Sequence, residues 1–201
     1  MSKLAWLGCL GAVVLGGLIA FFGVQSTYNS IIALEQDVTA KWAQVENVYQ
    51  RRADLVPNLV ATVKGYAAHE REVLEAVTES RSRVGSVRLT PDMLNNPAEL
   101  TRFQQAQDSL SGALSRLLLV VERYPDLKAN QNFLELQSQL EGTENRIAVE
   151  RKRFNESAQA YNTRIKQFPA NLIAGFFQFK EKAYVQAIAG SEKAPVVDFT
   201  K

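Results

Sequence analysis

His69 and Glu70 are the adjacent pair in this chain that comes nearest to a recognisable chemistry. A zinc protease carries His-Glu on a helix and a second histidine four residues after the first, so that both imidazoles face one metal. Position 73 is Val73, and the chain contains one histidine and one cysteine, Cys9. A His/Cys zinc site therefore cannot be assembled within one subunit. A single histidine with no serine elbow makes no nucleophile–base relay. Glycine-rich phosphate loops are absent, since Gly16-Gly17 lies within an apolar run and reads as close helix packing. Glu70 and Glu144 remain as candidate carboxylates for an unfamiliar hydrolase, but their spacing lends no support to one. The expectation is a protein without catalytic residues, metal, cofactor or small-molecule substrate.

The same region carries more specified polarity than a helix needs to bury one apolar stripe. Arg51, Arg52, Asp54, Asn58, Lys64, His69 and Glu70 crowd the run RRADLVPNLVATVKGYAAHE. A second polar run, Glu144, Asn145 and Arg146, follows Thr143. These residues read as a structural network or a partner-binding surface. Arg51 and Arg52 with Asp54 suit an anionic partner, but the favoured reading is that they cap a helix junction and pair with Glu46 or Glu70. Asn145 and Arg146 are expected to reach across to this cluster, and a buried polar network of that kind fixes helix register at some cost in stability.

The elements that must position these residues are helical almost throughout. Ile31, Leu34, Val38, Trp42, Val45 and Tyr49 recur every three or four positions from Tyr28 to Arg52. Asp54 is a good N-cap and would place Pro57 in a first turn, which predicts a second helix from Asp54 to Val84. The alternative is one long helix kinked through Pro57. Gly85 to Asn96 reads as a loop, and Asn96-Pro97-Ala98-Glu99 as a helix start. The third helix then turns Leu100, Phe103, Leu110, Leu114, Leu117 and Val121 inward, up to Tyr124-Pro125-Asp126. The fourth carries a coiled-coil-like seam from Phe133 to Phe168, weakened by Thr143, Glu150 and Ser157. A short helix is expected over Asn171 to Phe179, followed by an amphipathic stretch to Ala189. The fold class is all-α: an N-terminal transmembrane helix continuing into an antiparallel four-helix bundle. Alternation of direction returns the fourth helix, and the aromatic tail after it, towards the membrane. That tail reads as a lid on the core or as an interaction surface, and the lid is favoured because so many exposed aromatics would invite aggregation.

Leu4 to Val24 carries no charge and is long enough to cross a bilayer's hydrocarbon core of roughly 30 Å. The competing reading, a cleaved signal peptide, needs a shorter apolar core. Residues 1–26 are thus expected to form an anchor, 27–190 the bundle and 191–201 an extended tail. Gly8, Gly11, Gly16 and Gly17 offer a surface for self-association in the span. Basic residues exceed acidic ones by only 23 to 21, leaving nothing to attract nucleic acid. Lys3 precedes the span and Lys41 is the nearest cation after it, which favours a bundle outside the cytoplasm.

The combined pattern resembles the LemA family of bacterial membrane proteins over essentially the full chain. The resemblance rests on Tyr28-Asn29 after the anchor, on Arg51 to Val60 and on Val63 to Glu70. It continues through Tyr124 to Ala129, Thr143 to Ile147, Arg153-Phe154-Asn155, Tyr161-Asn162, Phe168-Pro169 and Pro195 to Phe199. Phe154 departs from a tyrosine common in the family. The resemblance implies a single-pass protein with a long-helix bundle and no assigned catalytic activity, with a related branch implicated in shaping bacterial organelle membranes. It supplies no active-site residues. The expected role is a scaffold or assembly protein of the bacterial inner membrane that self-associates as a homo-oligomer. The alternative is an adaptor that presents substrates or other envelope proteins to a membrane protease.

Overall fold

Pro57 does not end a helix. In the computed structural model, which describes residues 3–87 and 90–186, helix α1 runs unbroken from Lys3 to Tyr66 with Pro57 inside it. Its 64 residues make a rod about 96 Å long at 1.5 Å per residue. Asp54 is therefore no N-cap but an exposed mid-helix residue that accepts a hydrogen bond from Gln50. The predicted second helix from Asp54 is corrected: the chain turns at Ala67–Glu70, and helix α2 covers only Arg71–Ser86.

A proline inside a helix removes the N–H that would bond the carbonyl four residues earlier. Here that carbonyl belongs to Ala53, and Nε of Arg81 on α2 donates to it at 2.9 Å. A side chain on the returning helix thus replaces the missing backbone donor, so the rod can pass through Pro57 without an orphaned acceptor. Arg81→Met is expected to lower stability by about 1 kcal/mol, the net worth of one hydrogen bond with water able to reach the site. In that background Pro57→Ala restores the backbone donor and is expected to recover the loss. Denaturant unfolding of the four variants of this cycle checks it, and equal effects of Pro57→Ala with and without Arg81 would count against the account.

After α2 comes a 3-10 turn, Pro91–Asn95, then helix α3, Pro97–Val121. The turn was expected to be plain loop. It instead buries Met93 and Leu94. Asn96 caps α3 as its sequence announced, its side chain accepting from the N–H groups of Ala98 and Glu99. A single-turn helix α4, Pro125–Lys128, leads into α5, Gln131–Lys166, whose first turn is capped by Asn130. Helix α6, Ala170–Phe176, follows.

Helices α1, α2, α3 and α5 form the antiparallel bundle, with α5 running back along α1 and α2 lying between α1 and α3. From Thr27 onwards α1 buries one stripe: Ile31, Val38, Trp42, Val45, Tyr49, Arg52, Val56, Leu59 and Val63. The steps of three and four residues keep that stripe facing its neighbours along the whole rod. The core divides in two. One half gathers residues 31–49 of α1 with Phe103, Ile147, Phe154 and Tyr161, and aromatic edges meet there as Trp42–Phe103, Trp42–Phe154 and Tyr49–Phe103 pairs at 5.2–5.6 Å. The other gathers Val56, Leu59 and Val63 with Leu74, Val77, Leu110, Leu117, Leu127, Phe133 and Leu140. Before Thr27 the rod is exposed at Trp6 and on all sides from Leu10 through Val24. It is the one helix among the described residues long and apolar enough to cross a membrane.

The α6 end folds back on the point where α1 leaves this exposed stretch. The Tyr28 ring lies 4.8 Å from that of Phe177 and 5.8 Å from that of Phe179. Helix α6 closes with a Schellman pair, Phe179 N–H to Ala174 O and Gln178 N–H to Gly175 O, with Gln178 in the left-handed region at φ 58°. Beyond it, among the described residues, the amphipathic stretch forms no helix. Residues 179–186 form an extended strap instead, because two asparagines of α5 take its backbone groups. Asn162 donates to Lys182 O and accepts from Lys182 N–H, and Asn155 does the same for Val185. The continuation to Ala189 and the ending from Gly190 lie outside the described residues.

Candidate functional site

The two halves of the core meet at a single polar layer. On α1 the boundary falls between Tyr49 and Val56, on α3 between Phe103 and Leu110, and on α5 between Leu140 and Ile147. At this level each stripe carries a polar residue: Arg52, Gln107 and Thr143, all buried.

Arg52 is the centre of the layer and is only 1% exposed. Its Nη1 donates to Ser111 Oγ and Glu144 Oε1, each at 2.7 Å. Its Nη2 donates to both the backbone and the side-chain oxygen of Gln107. The Tyr49 ring stacks one turn away, 5.1 Å from the guanidinium carbon. Burial, opposed in part by the nearby arginines Arg151 and Arg52, raises the Tyr49 phenol above its ordinary pKa. Glu144 keeps two fifths of its side chain in solvent, so the ion pair joins a buried cation to a carboxylate at the edge. The planar fork of Arg52 reaches two helices at once, which a lysine cannot do. Its Nε finds no acceptor, so the layer is costly as well as specific.

The other residues of the polar run are placed elsewhere. Arg51, Asn58, Lys64 and His69 are exposed along α1 and its distal turn. The expected pairing of Arg52 with Glu46 or Glu70 is corrected, since its carboxylate is Glu144. Asn145 and Arg146 do not cross to this cluster but face solvent, because α5 turns Thr143 and Ile147 inward and leaves only Glu144 at the layer's edge. Glu70 works alone at the distal tip, where Arg123 donates to it at 2.9 Å and Tyr124 at 3.0 Å. Gln107 and Ser111 escaped the sequence reading, although a glutamine within the α3 stripe of Leu100, Phe103, Leu110 and Leu114 was the available signal.

A cleft of about 520 Å³ opens beside the layer, lined among others by Glu46, Tyr49, Gln50, Arg81 and Gln107. Burial raises the Glu46 carboxyl above its ordinary 4.5. An acid raised in the folded state favours folding below its unfolded pKa and loses that contribution as pH climbs through the folded value. Glu46→Gln, which removes the charge, is thus expected to raise Tm at about pH 7 and to lose that advantage at about pH 4. Melting curves at the two pH values check this, and an equal shift at both would reject it. Among the described residues no group of His, Cys, Asp and Glu is arranged to hold a metal ion.

The profile of the LemA family matches residues 41–199. The chain is 28% identical over 179 residues to the magnetosome protein MamQ 2 of Paramagnetospirillum magneticum, covering 79% of this chain and 64% of that protein. It therefore spans somewhat less than two thirds of that relative's length. It is 26% identical over 190 residues to magnetosome protein MamQ of Magnetospirillum gryphiswaldense, covering 86% of this chain and 70% of the other. Protein LemA of Metamycoplasma hominis is 24% identical over 169 residues, covering 84% and 73%. The structure adds an all-helical bundle on a long apolar N-terminal helix, and with most of its length inside the family profile the chain belongs to the LemA family.

Proposed function

We propose that this protein is a non-enzymatic scaffold of the bacterial envelope, held in the inner membrane by residues 4–24 and assembling with copies of itself. The observation that carries this reading is the continuity of α1, a single helix from the apolar stretch to the far tip of the bundle. A rigid rod of that kind transmits position and orientation from membrane to domain, as a scaffold requires. The buried polar groups point the same way, since Arg52, Gln107 and Ser111 spend their hydrogen bonds on one another and on Glu144. Similarity to magnetosome proteins supports a part in a larger assembly. The glycines of the apolar stretch supply a contact surface, and an added Cβ at Gly11, Gly16 or Gly17 meets no other atom. The bundle lies outside the cytoplasm in this reading, following the placement of Lys3 and Lys41.

The test is the mass of the full-length protein in lipid nanodiscs, beside a shortened chain starting at Thr27. A defined homo-oligomer that needs the anchor supports the proposal, and a monomer in both forms removes it. A second reading, an adaptor that presents envelope proteins to a membrane protease, draws on the distal tip. There Lys64 and His69 are exposed and take no part in the layer. Crosslinking from positions 64 and 69 in native membranes to a stable heteromeric partner would favour it over self-assembly.

A further inference from the structure

Helix α6 buries Ala170, Ile173 and Ala174 against the bundle and leaves a row of large apolar side chains in solvent. Phe168 is 79% exposed, Leu172 64% and Phe176 81%. Leu172 and Phe176 stand four residues apart on one face of α6, and Phe168 precedes them in the turn that leads into the helix. From Gln167 to Phe179 the chain carries no charge. This overturns the expectation of an aromatic lid in part: Phe179 packs against the core, but Phe168 and Phe176 cover nothing. A contiguous apolar patch on an otherwise charged bundle marks a contact surface.

The position of the patch says what it contacts. Phe177, next to Phe176, rests on Tyr28, only four residues beyond Val24, where the apolar run of α1 ends. Four residues of helix rise about 6 Å, and an apolar face lying in the interface sinks roughly 5–10 Å into the headgroup and acyl boundary. The patch is therefore level with that boundary when α1 crosses the bilayer. In sequence it is flanked by Arg164, Lys166 and Lys180, with Lys166 paired to Glu181 at 2.7 Å.

We infer that α6 is a second membrane contact: Phe168, Leu172 and Phe176 insert into the lipid surface beside the span and hold the bundle at a set tilt. This rests on α1 crossing the membrane. The strap after α6, clamped by Asn155 and Asn162, keeps the helix docked on the bundle, so that insertion orients the whole domain.

The test uses the full chain with Cys9→Ser, reconstituted in phosphatidylcholine vesicles. Nitroxide labels are placed singly at Phe176→Cys, Leu172→Cys, Leu15→Cys in the span and Leu119→Cys, which is exposed at the far end of α3. Accessibility to oxygen, relative to a water-soluble nickel chelate, is read at each, with circular dichroism confirming unchanged helix content. The ratio at 176 and 172 is expected several-fold above that at 119 and similar in sign to that at 15. Labels at 176 and 172 that match 119, while 15 reads as lipid, overturn the inference and leave the span intact. Protection of 176 and 172 from both reagents also overturns it, since protein rather than lipid would then cover the patch. A label at 15 that reads as water overturns the span and this inference together.

Discussion

Arg52→Ala is expected to lower the unfolding free energy of the bundle by about 3–5 kcal/mol, the range for breaking a buried ion pair by removing one partner. The loss has three parts. Gln107 and Ser111 lose their donor in the interior, Glu144 loses its counter-ion, and the guanidinium's volume becomes a cavity beside Tyr49. Arg52→Lys is expected to recover only part of this, because an ammonium cannot span Gln107 and Glu144 as the planar fork does. The triple replacement Arg52→Leu, Gln107→Leu and Glu144→Leu is expected to restore most of the stability, since apolar side chains carry no desolvation cost. Guanidinium unfolding of the full chain in detergent, followed by circular dichroism, reads all three. A cost below about 1 kcal/mol for Arg52→Ala would mean that the layer contributes little. The triple variant separates stability from specificity. If the layer fixes the register of α1 against α3 and α5, joining the two apolar halves should broaden the distribution of oligomers while leaving helix content unchanged.

Lys182→Ala is expected to release the strap. Its ammonium, 7% exposed, pairs with Glu35 at 2.7 Å, donates to Asn95 at 2.9 Å and lies 5.2 Å from the centre of the Tyr161 ring. Hydrogen bonds to charged groups contribute about 1.5–3 kcal/mol each. Losing about 2 kcal/mol from a local opening equilibrium accelerates exchange about 30-fold. Amide hydrogen exchange at residues 179–186 should therefore rise by that order, while amides of Val45 and Leu117 in the core stay protected. Asn162→Ala is expected to act in the same direction, since it removes both backbone contacts to Lys182. Uniform acceleration across the whole bundle would show instead that the strap and the core open as one unit. The strap also positions α6, so its release should reduce lipid contact at Phe176.

The periodic features of this fold were legible in the chain because they are local. Ile31, Val38, Trp42, Val45 and Tyr49 announce their shared face by spacing alone, and all are buried. The Leu100, Phe103, Leu110, Leu114 and Leu117 stripe does the same for α3, and Asn96 before Pro97 announces its cap. The apolar run from Leu4 needs only its length and lack of charge. Alternation of helix direction was enough to bring the end of α5 and the aromatic tail back to the foot of the rod, where Tyr28 meets Phe177.

Three-dimensional packing decided everything that depends on a partner distant in sequence. Pro57 carries an ordinary signal for a helix start, and nothing near it reveals that Arg81 will serve the carbonyl of Ala53 and let the rod continue. The polar run from Arg51 holds several residues of equal promise, yet Arg52 alone points along the buried stripe, and its acceptors lie 55 to 92 positions away. The tail has amphipathic spacing but becomes an extended strap, because Asn155 and Asn162 offer its backbone a better set of hydrogen bonds than a short isolated helix would supply. Spacing along one helix determines which residues share a face. Which polar group is satisfied, and by whom, depends on the helix that comes to lie opposite, and only the folded bundle brings that helix into place.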